Sequence, residues 1–330
     1  MVFFWLLFFF FFVEVEKLLG SDFATVLVYH RFDENKYPST NIKRETFLKH
    51  LNFLKENNFN VLPLSKLILF LREKKSLPEK SVFITIDDAY KSVYEIAYPL
   101  LKKFNYPFTV FVSTNNVAKN NSSNFMTWTM LNEINDNFGS IENHTSNHSY
   151  ANSISNEDFV TIVKKASNEI KKNVGKKSEL FSFPYGESSL EKEEEIKKLG
   201  FALAFSQHSS HVTRNENLFR LPRFALNDQY GTLERFKMIL ESRPLEVSDI
   251  IPKDNLILKN KPNIIGFSSA KPVDLINCFN SDNLVMNLKK KKPNKLEIII
   301  KERIRSRRLR INCTYVNKNE VFWYGRMLNK

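Results

Sequence analysis

Short apolar runs alternate with amphipathic stretches over most of this chain. Val26-Leu27-Val28-Tyr29 predicts a buried strand that ends at His30-Arg31. Phe47, Leu51 and Leu54 recur at helical spacing until Asn57-Asn58, and residues 64–75 read as a second helix. SVFITI at 81–86 predicts a strand that runs straight into Asp87-Asp88. Val93, Ile96, Ala97, Leu100 and Phe104 form a third helical stripe, kinked or restarted at Pro99. FTVFV at 108–112 is another strand, followed by a polar loop at 113–124.

The alternation continues with a short strand at 139–142 leading to His144. Ser155 with Asp158 has the form of a capping box, opening a helix that buries Phe159, Ile162, Val163, Ala166 and Ile170. Residues 180–183 read as a strand ending at Pro184-Tyr185-Gly186. A helix follows at 191–199, with acids first, lysines last and Gly200 as terminator. Strands at 201–206 and 221–224 and a helix at 232–240 complete the series. Repeated strand–helix units predict an α/β fold with a parallel sheet, open or closed into a barrel, whose functional residues sit at the carboxyl ends of its strands.

Beyond about residue 250 the pattern changes. Residues 296–300, 303–308 and 309–315 show alternation or apolar runs without helical spacing, and Lys289–Lys292 with Pro293 suggests a hairpin turn. The expected organisation is a strand–helix region over 21–250 and a small, basic antiparallel β region over 251–330. Residues 1–13, MVFFWLLFFFFFV, are too few to span a bilayer. Their length suits a signal peptide or an uncleaved anchor at 1–20, so the chain is expected to be exported, to the periplasm or cell envelope.

Composition narrows the class. In 330 residues, 42% are hydrophobic and 26% charged, which excludes a disordered or collagen-like chain. Two cysteines exclude a disulfide scaffold or a multi-cysteine zinc module. With only 8 glycines, asparagine is expected at left-handed turn positions. The formal charge is +13, of which residues 246–330 supply +10 (18 Lys+Arg against 8 Asp+Glu). Two readings of that tail stay open: contact with an acidic polymer or anionic membrane, or a solvated basic surface.

Three loops carry candidate chemistry. Adjacent carboxylates at Asp87-Asp88, after a buried strand, are costly unless a cation lies beside them. His144 and His148, four apart in HTSNH, can converge on one ion. The turn at Phe183-Pro184-Tyr185-Gly186 can aim a backbone N–H into a pocket. Taken alone, such an acid pair is most often a helix cap or a surface turn, and such a histidine pair is a weak signal that also fits solvent-facing side chains. Together they predict a two-histidine, one-carboxylate site for a divalent metal, Zn²⁺ being expected, with the second aspartate free to act as general base in hydrolysis of an amide or ester.

These motifs resemble the polysaccharide deacetylase family, the NodB-homology or carbohydrate esterase 4 group. Its T-F-D-D-G/A-Y stands here as TIDDAY, its H-[ST]-x-x-H as HTSNH and its R-x-P-Y-G as SFPYG. The likeness spans roughly residues 24–245, and VLVYHRF resembles the poly-N-acetylglucosamine deacetylase branch. The resemblance implies a distorted (β/α)₇ barrel, here with a small C-terminal antiparallel β domain, and an acetylated polysaccharide as substrate. It implies Asp87 as general base, Asp88, His144 and His148 as metal ligands, and Tyr185 as the residue whose N–H holds the developing oxyanion. His30, Pro184 and Arg223 are expected to contact substrate.

Two departures from the family pattern stand out. Ser182 occupies the place of an arginine that steadies the base; Arg223 is either its replacement or a structural residue. No late general-acid histidine is evident, and His208 and His211 are either stand-ins or loop histidines. His50 is read as exposed, and Trp128 as a sugar-stacking or a core residue. Export would let Cys278 and Cys313 pair; two buried thiols are the alternative. Competing functions are a non-catalytic carbohydrate-binding relative and a binder of nucleic acid or anionic surfaces. Nucleic acid is not an expected partner, whereas membrane association through the amino terminus is.

Overall fold

Strand Ser81–Asp87 (β2) is buried at every position, which explains why its sequence shows an apolar run rather than alternation. In the computed structural model, which describes residues 20–118, 124–258, 262–291 and 294–330, β2 lies inside a parallel sheet. The expected export segment falls outside the described residues, Gly20 apart.

On one side of β2 stands Phe23–Tyr29 (β1). On the other follow Phe108–Val112 (β3), Gly139–Asn143 (β4), Leu180–Ser182 (β5) and Leu203–Phe205 (β6), each parallel to the last. A seventh parallel strand, Phe224–Ala225 (β7), pairs with β1 through Leu27 and Val28. The two ends of this order approach each other where Phe205 of β6 bridges Leu221, just ahead of β7. The result is a distorted barrel of the kind the resemblance implied, where the strand–helix pattern alone left an open sheet and a closed barrel as alternatives.

Seven helices cover it: Arg44–Glu56 (α1), Leu64–Arg72 (α2), Tyr98–Phe104 (α3), Trp128–Asp136 (α4), Asn156–Val174 (α5), Leu190–Lys198 (α6) and Leu233–Glu241 (α7). The α5 cap is as predicted: the Ser155 hydroxyl accepts from the Asp158 N–H at 3.0 Å, and Gly175 closes the helix at φ 79°. Pro99 sits in the first turn of α3, directly after a π-helical turn at Val93–Ala97. The barrel strands at 201–206 and 221–224 are shorter than predicted. Trp128, at the start of α4, is half-buried and packs against the main core.

Two four-stranded sheets make up the C-terminal part. One contains Ile276–Asn280, Arg308–Asn317 and Glu320–Asn329, with Arg243–Pro244 added in parallel on its edge. The other contains Val247–Ile251, Asn263–Ser269, Asn287–Lys291 and Lys295–Ile300. Their inward faces enclose a core of their own around Ile265, Phe267, Ile298, Leu309 and Ile311. Lys289, Lys290 and Lys291 lie in strand Asn287–Lys291, which pairs antiparallel with Lys295–Ile300, so they form the basic flank of the expected hairpin; 292 and 293 are outside the described residues. Residues 303–307 form no strand. Cys278 and Cys313 stand directly opposite across an antiparallel pair, Cα atoms 4.0 Å apart, and form a disulfide, which settles the alternative left open by the sequence.

His50 is fully buried, contrary to the expectation that it is exposed. With Phe47, Leu51 and Leu54 it completes the i, i+3, i+4, i+7 stripe of α1. Its Nδ1 meets the Tyr29 hydroxyl at 3.0 Å, its Nε2 meets the Gly231 carbonyl at 2.9 Å, and its ring stacks on Phe236 at 3.9 Å. His211 is equally enclosed, between Thr25 at 3.0 Å and Ser242 at 2.9 Å.

Burial lowers His50 to about 4 and His208 and His211 to about 3. The unfolded chain protonates these rings near pH 6.5 and the folded chain does not. Their contribution is therefore complete above pH 6.5 and drains away as pH falls toward those folded values. Denaturant titrations should lose roughly 2 kcal/mol per histidine between pH 7 and 5, with protons taken up on unfolding at pH 5. Stability independent of pH across that interval would refute the assignment.

Candidate active site

Each chemistry-bearing loop leaves the carboxyl end of a barrel strand. Asp87 closes β2, His144 follows β4, Pro184-Tyr185-Gly186 follows β5, and His30 follows β1. The loops turn sharply without glycine at the working positions. Asp88, Ala89, Thr145, His148 and Tyr185 all have left-handed φ, between 54° and 76°. Each such residue costs about 1 kcal/mol or more, so the surroundings must enforce it. They do: the Asp88 N–H donates to Phe111 O, the Thr145 N–H to Asn143 Oδ1 and the His148 N–H to Thr145 Oγ1. Asparagine does occupy left-handed positions at 58, 105 and 283, but the site loops use aspartate, alanine, threonine, histidine and tyrosine there, which residue type alone does not signal.

Asp88, His144 and His148 converge, with one donor atom from each lying within 4.8 Å of the others. Asp88 Oδ1 is 3.0 Å from His148 Nε2 and 3.6 Å from His144 Nε2. Neither approach is aligned as a hydrogen bond, since Asp88 Oδ1 and His144 Nε2 are both buried without a hydrogen-bond partner. Two buried, unpartnered donor atoms aimed at a common point, with a third beside them, fit a divalent cation. The His144 Nδ1–H donates to the Ser182 carbonyl at 2.7 Å, fixing the tautomer that leaves Nε2 free to ligate. Burial lowers His144 to about 4, so the ring is neutral at ordinary pH. Burial pushes the Asp88 carboxyl up, but His148 and His144 outweigh it and hold the group below the usual carboxylate range.

Asp87 is held apart from this trio. It is fully buried, and its Oδ1 and Oδ2 accept from Arg223 Nη1 and Nη2 at 2.8 and 2.7 Å. The Ser182 hydroxyl donates to Oδ2 at 3.2 Å. Arg223 also donates to Thr85 Oγ1 at 3.1 Å, Ser182 Oγ at 2.8 Å and the Ser206 carbonyl at 3.0 Å. Burial alone would raise Asp87, yet the Arg223 guanidinium and His144 bring it down to about 2. The carboxylate is thus ionised and oriented, with its Oδ2 4.0 Å from His144 Nε2.

Residues 74–204 match the polysaccharide deacetylase family model. This chain carries a polysaccharide deacetylase domain. A poly-β-1,6-N-acetyl-D-glucosamine N-deacetylase of Staphylococcus aureus strain MSSA476 is 28% identical over 228 residues, covering 66% of this chain and 78% of the relative. The protein of the same description from Staphylococcus epidermidis is 28% identical over 205 residues, covering 57% and 69%. Among solved structures, the Streptococcus pyogenes deacetylase PplD in complex with acetate superposes with a TM-score of 0.61 at 20% identity, covering 66% of this chain and 98% of its own. IcaB from Ammonifex degensii gives 0.60 at 23% identity, covering 68% and 99%. At these identities the structural likeness establishes the barrel fold.

Not every residue expected at the site is exposed. Pro184 and Arg223 were both expected to touch substrate, and both are buried. Sequence places a residue after a strand but does not tell which side of the loop it faces. His30 is partly exposed and lies within reach of the charges of Asp87, Asp88, Arg223 and His148, with burial lowering its pKa. His208 does not join the site: it is enclosed, and the charges acting on it are Arg220 and Arg326. His211 uses both ring nitrogens on structural partners. Neither supplies the missing general acid.

Other neighbours escaped the sequence reading. The Arg31 guanidinium lies over Tyr90 at 3.4 Å and Tyr37 at 3.9 Å. Burial and the Asp88 charge lift the Tyr90 phenol to about 12. On another side Tyr150 stacks on Tyr185 at 4.1 Å, and Tyr185 meets the His148 ring edge-on at 4.4 Å. A tyrosine two places beyond His148 was the available signal.

Proposed function

We propose that this chain is an exported, metal-dependent hydrolase that removes N-acetyl groups from an N-acetylhexosamine polymer, releasing acetate and leaving free amine. Poly-β-1,6-N-acetylglucosamine, the polymer named for its curated relatives, is the first substrate to test. The observation that carries this reading is the pairing of a converging Asp88–His144–His148 trio with a separate, ionised Asp87 locked by Arg223. A trio alone fits a structural metal; the second, oriented carboxylate next to it supplies a base.

Asp88, His144 and His148 would hold the divalent cation, Zn²⁺ in our reading. Bound there, the ion supplies Lewis-acid polarisation of the acetamide carbonyl and acidifies a water. Asp87 takes a proton from the attacking water. Its oxygens are both engaged by Arg223, which keeps the basic lone pairs oriented and the carboxylate ionised. The Tyr185 N–H, in the turn that follows β5, donates to the oxyanion that develops on the carbonyl oxygen. His30, partly exposed at the rim, contacts the sugar. Arg223 also weakens the case for a non-catalytic relative, because it restores the arginine that Ser182 lacks. The Cys278–Cys313 disulfide is in keeping with an oxidising compartment.

The test is acetate release from poly-β-1,6-N-acetylglucosamine and other acetylated glycans by chelator-treated enzyme with and without added Zn²⁺, Co²⁺ or Mn²⁺. Release that needs an added ion is the expected result; binding of glycan with no release under any ion would overturn the assignment. Replacing Asp88 with Asn or His148 with Ala should remove stoichiometric zinc as measured by elemental analysis, and activity with it. Zinc retained at one equivalent in both variants would move the metal elsewhere.

A further inference from the structure

We propose that Arg308, from the C-terminal sheet, is a positioning residue for the Tyr185 turn, so that the C-terminal part of the chain sets the oxyanion contact of the barrel. This rests on reading the Tyr185 N–H as the oxyanion donor. The turn needs outside support. Tyr185 adopts φ 60°, ψ 2°, a conformation unfavourable for any residue with a Cβ. Gly186 follows at φ 73°, pressed so close to the loop after β6 that a Cβ would lie 2.4 Å from Gln207 N.

Support comes from two consecutive arginines at the start of strand Arg308–Asn317. Arg308 Nη1 donates to the Tyr185 carbonyl at 3.2 Å, and its guanidinium lies 5.2 Å from the Tyr185 ring centroid. Arg307 Nε donates to both oxygens of Glu187 at 2.9 and 3.0 Å, while Arg308 Nε lies 3.8 Å from the same carboxylate. Glu187 is fully buried, two residues past Tyr185, and a buried carboxylate of that kind requires its cations. Arg307 reaches further: its Nη2 donates to Ser153 Oγ at 2.6 Å, and its guanidinium lies 3.9 Å over the Tyr150 ring.

Tyr150 in turn stacks on Tyr185, which leans on His148. The turn is thus held by its carbonyl, by its ring and by its next-but-one side chain. Two of those holds originate more than a hundred residues away in sequence. Part of the basic C-terminal composition therefore has a local use inside the molecule.

The experiment uses the full chain. Arg308→Ala leaves Glu187 paired with Arg307, so the fold should survive. Expected are a 10–100-fold loss of kcat, below the 10²–10³ of a deleted oxyanion donor, with KM, zinc content and melting temperature within error of wild type. Arg308→Lys, which can still reach a carbonyl with one N–H, should recover part of the loss. Hydrogen exchange read by mass spectrometry should accelerate in peptides covering 182–189 and stay unchanged elsewhere in the barrel. Wild-type kcat in Arg308→Ala, or unchanged exchange at 182–189, overturns the proposal. A loss of kcat that merely tracks lost zinc or lost folded protein overturns it too. Should wild type itself release no acetate from any glycan, the deacetylase reading falls, and the exchange measurement alone still decides whether Arg308 holds the turn.

Discussion

Asp87→Asn should cut acetate release by about 10²–10⁴-fold, the range for removal of a general base, while one equivalent of zinc remains bound. The separation follows from geometry. Asp87 directs its oxygens to Arg223 and Ser182, whereas the ligand trio consists of Asp88, His144 and His148. Asparagine matches aspartate in size and still offers Arg223 one acceptor, so the fold should persist. Elemental analysis, acetate release and a melting curve on the same preparation check the three parts together. Full activity in this variant would assign the base elsewhere, and loss of zinc would mean that Asp87 helps to ligate.

The second large effect is at Arg223. Arg223→Met keeps the length and apolar stem but removes the fork that neutralises Asp87. Asp87 is fully buried, and a buried ion pair broken on one side typically costs about 3–5 kcal/mol, because the remaining charge has no partner. Burial then acts on Asp87 without its main opposing cation, so the carboxyl pKa should rise. We expect a lower denaturation midpoint and a drop in kcat together. Arg223→Lys should recover part of the stability but little activity, since one ammonium cannot replace two parallel N–H bonds. The double variant Arg223→Met with Asp87→Asn should be more stable than Arg223→Met alone. If it is not, the cost of losing Arg223 lies in its contacts to Thr85 and Ser206 rather than in the orphaned acid.

Much of the barrel was legible because its strands are buried on both faces and its helices carry one apolar stripe each. Those two periods differ enough to be read from β1 to α7. The site was legible as three post-strand loops, since paired acids and paired imidazoles are expensive to bury without a purpose. What escaped was anything fixed by contact between distant segments. Arg223 could be suspected as a partner of Asp87, but only three-dimensional packing shows its fork on that carboxylate and its complete burial. His50 was misread because one polar residue on an apolar stripe offers no sequence sign of the Tyr29 hydroxyl and Gly231 carbonyl waiting for it. The C-terminal strands were blurred for a related reason. Their edge strand Asn287–Lys291 carries lysines, which weaken the alternation that marks a strand, so Lys289–Lys292 suggested a turn and its basic flank but not the strand itself.

The barrel's seam has a consequence for how small this enzyme can be made. The stretch that matches the family model, 74–204, includes the candidate ligand trio and both aspartates, yet it omits β1, which pairs with both β2 and the last strand β7, and it omits Arg223. A fragment cut to that stretch would own a metal pocket and a base with no counterion. Any minimal version that works must reach the seventh strand, because the residue that enters it delivers the charge that the second strand requires.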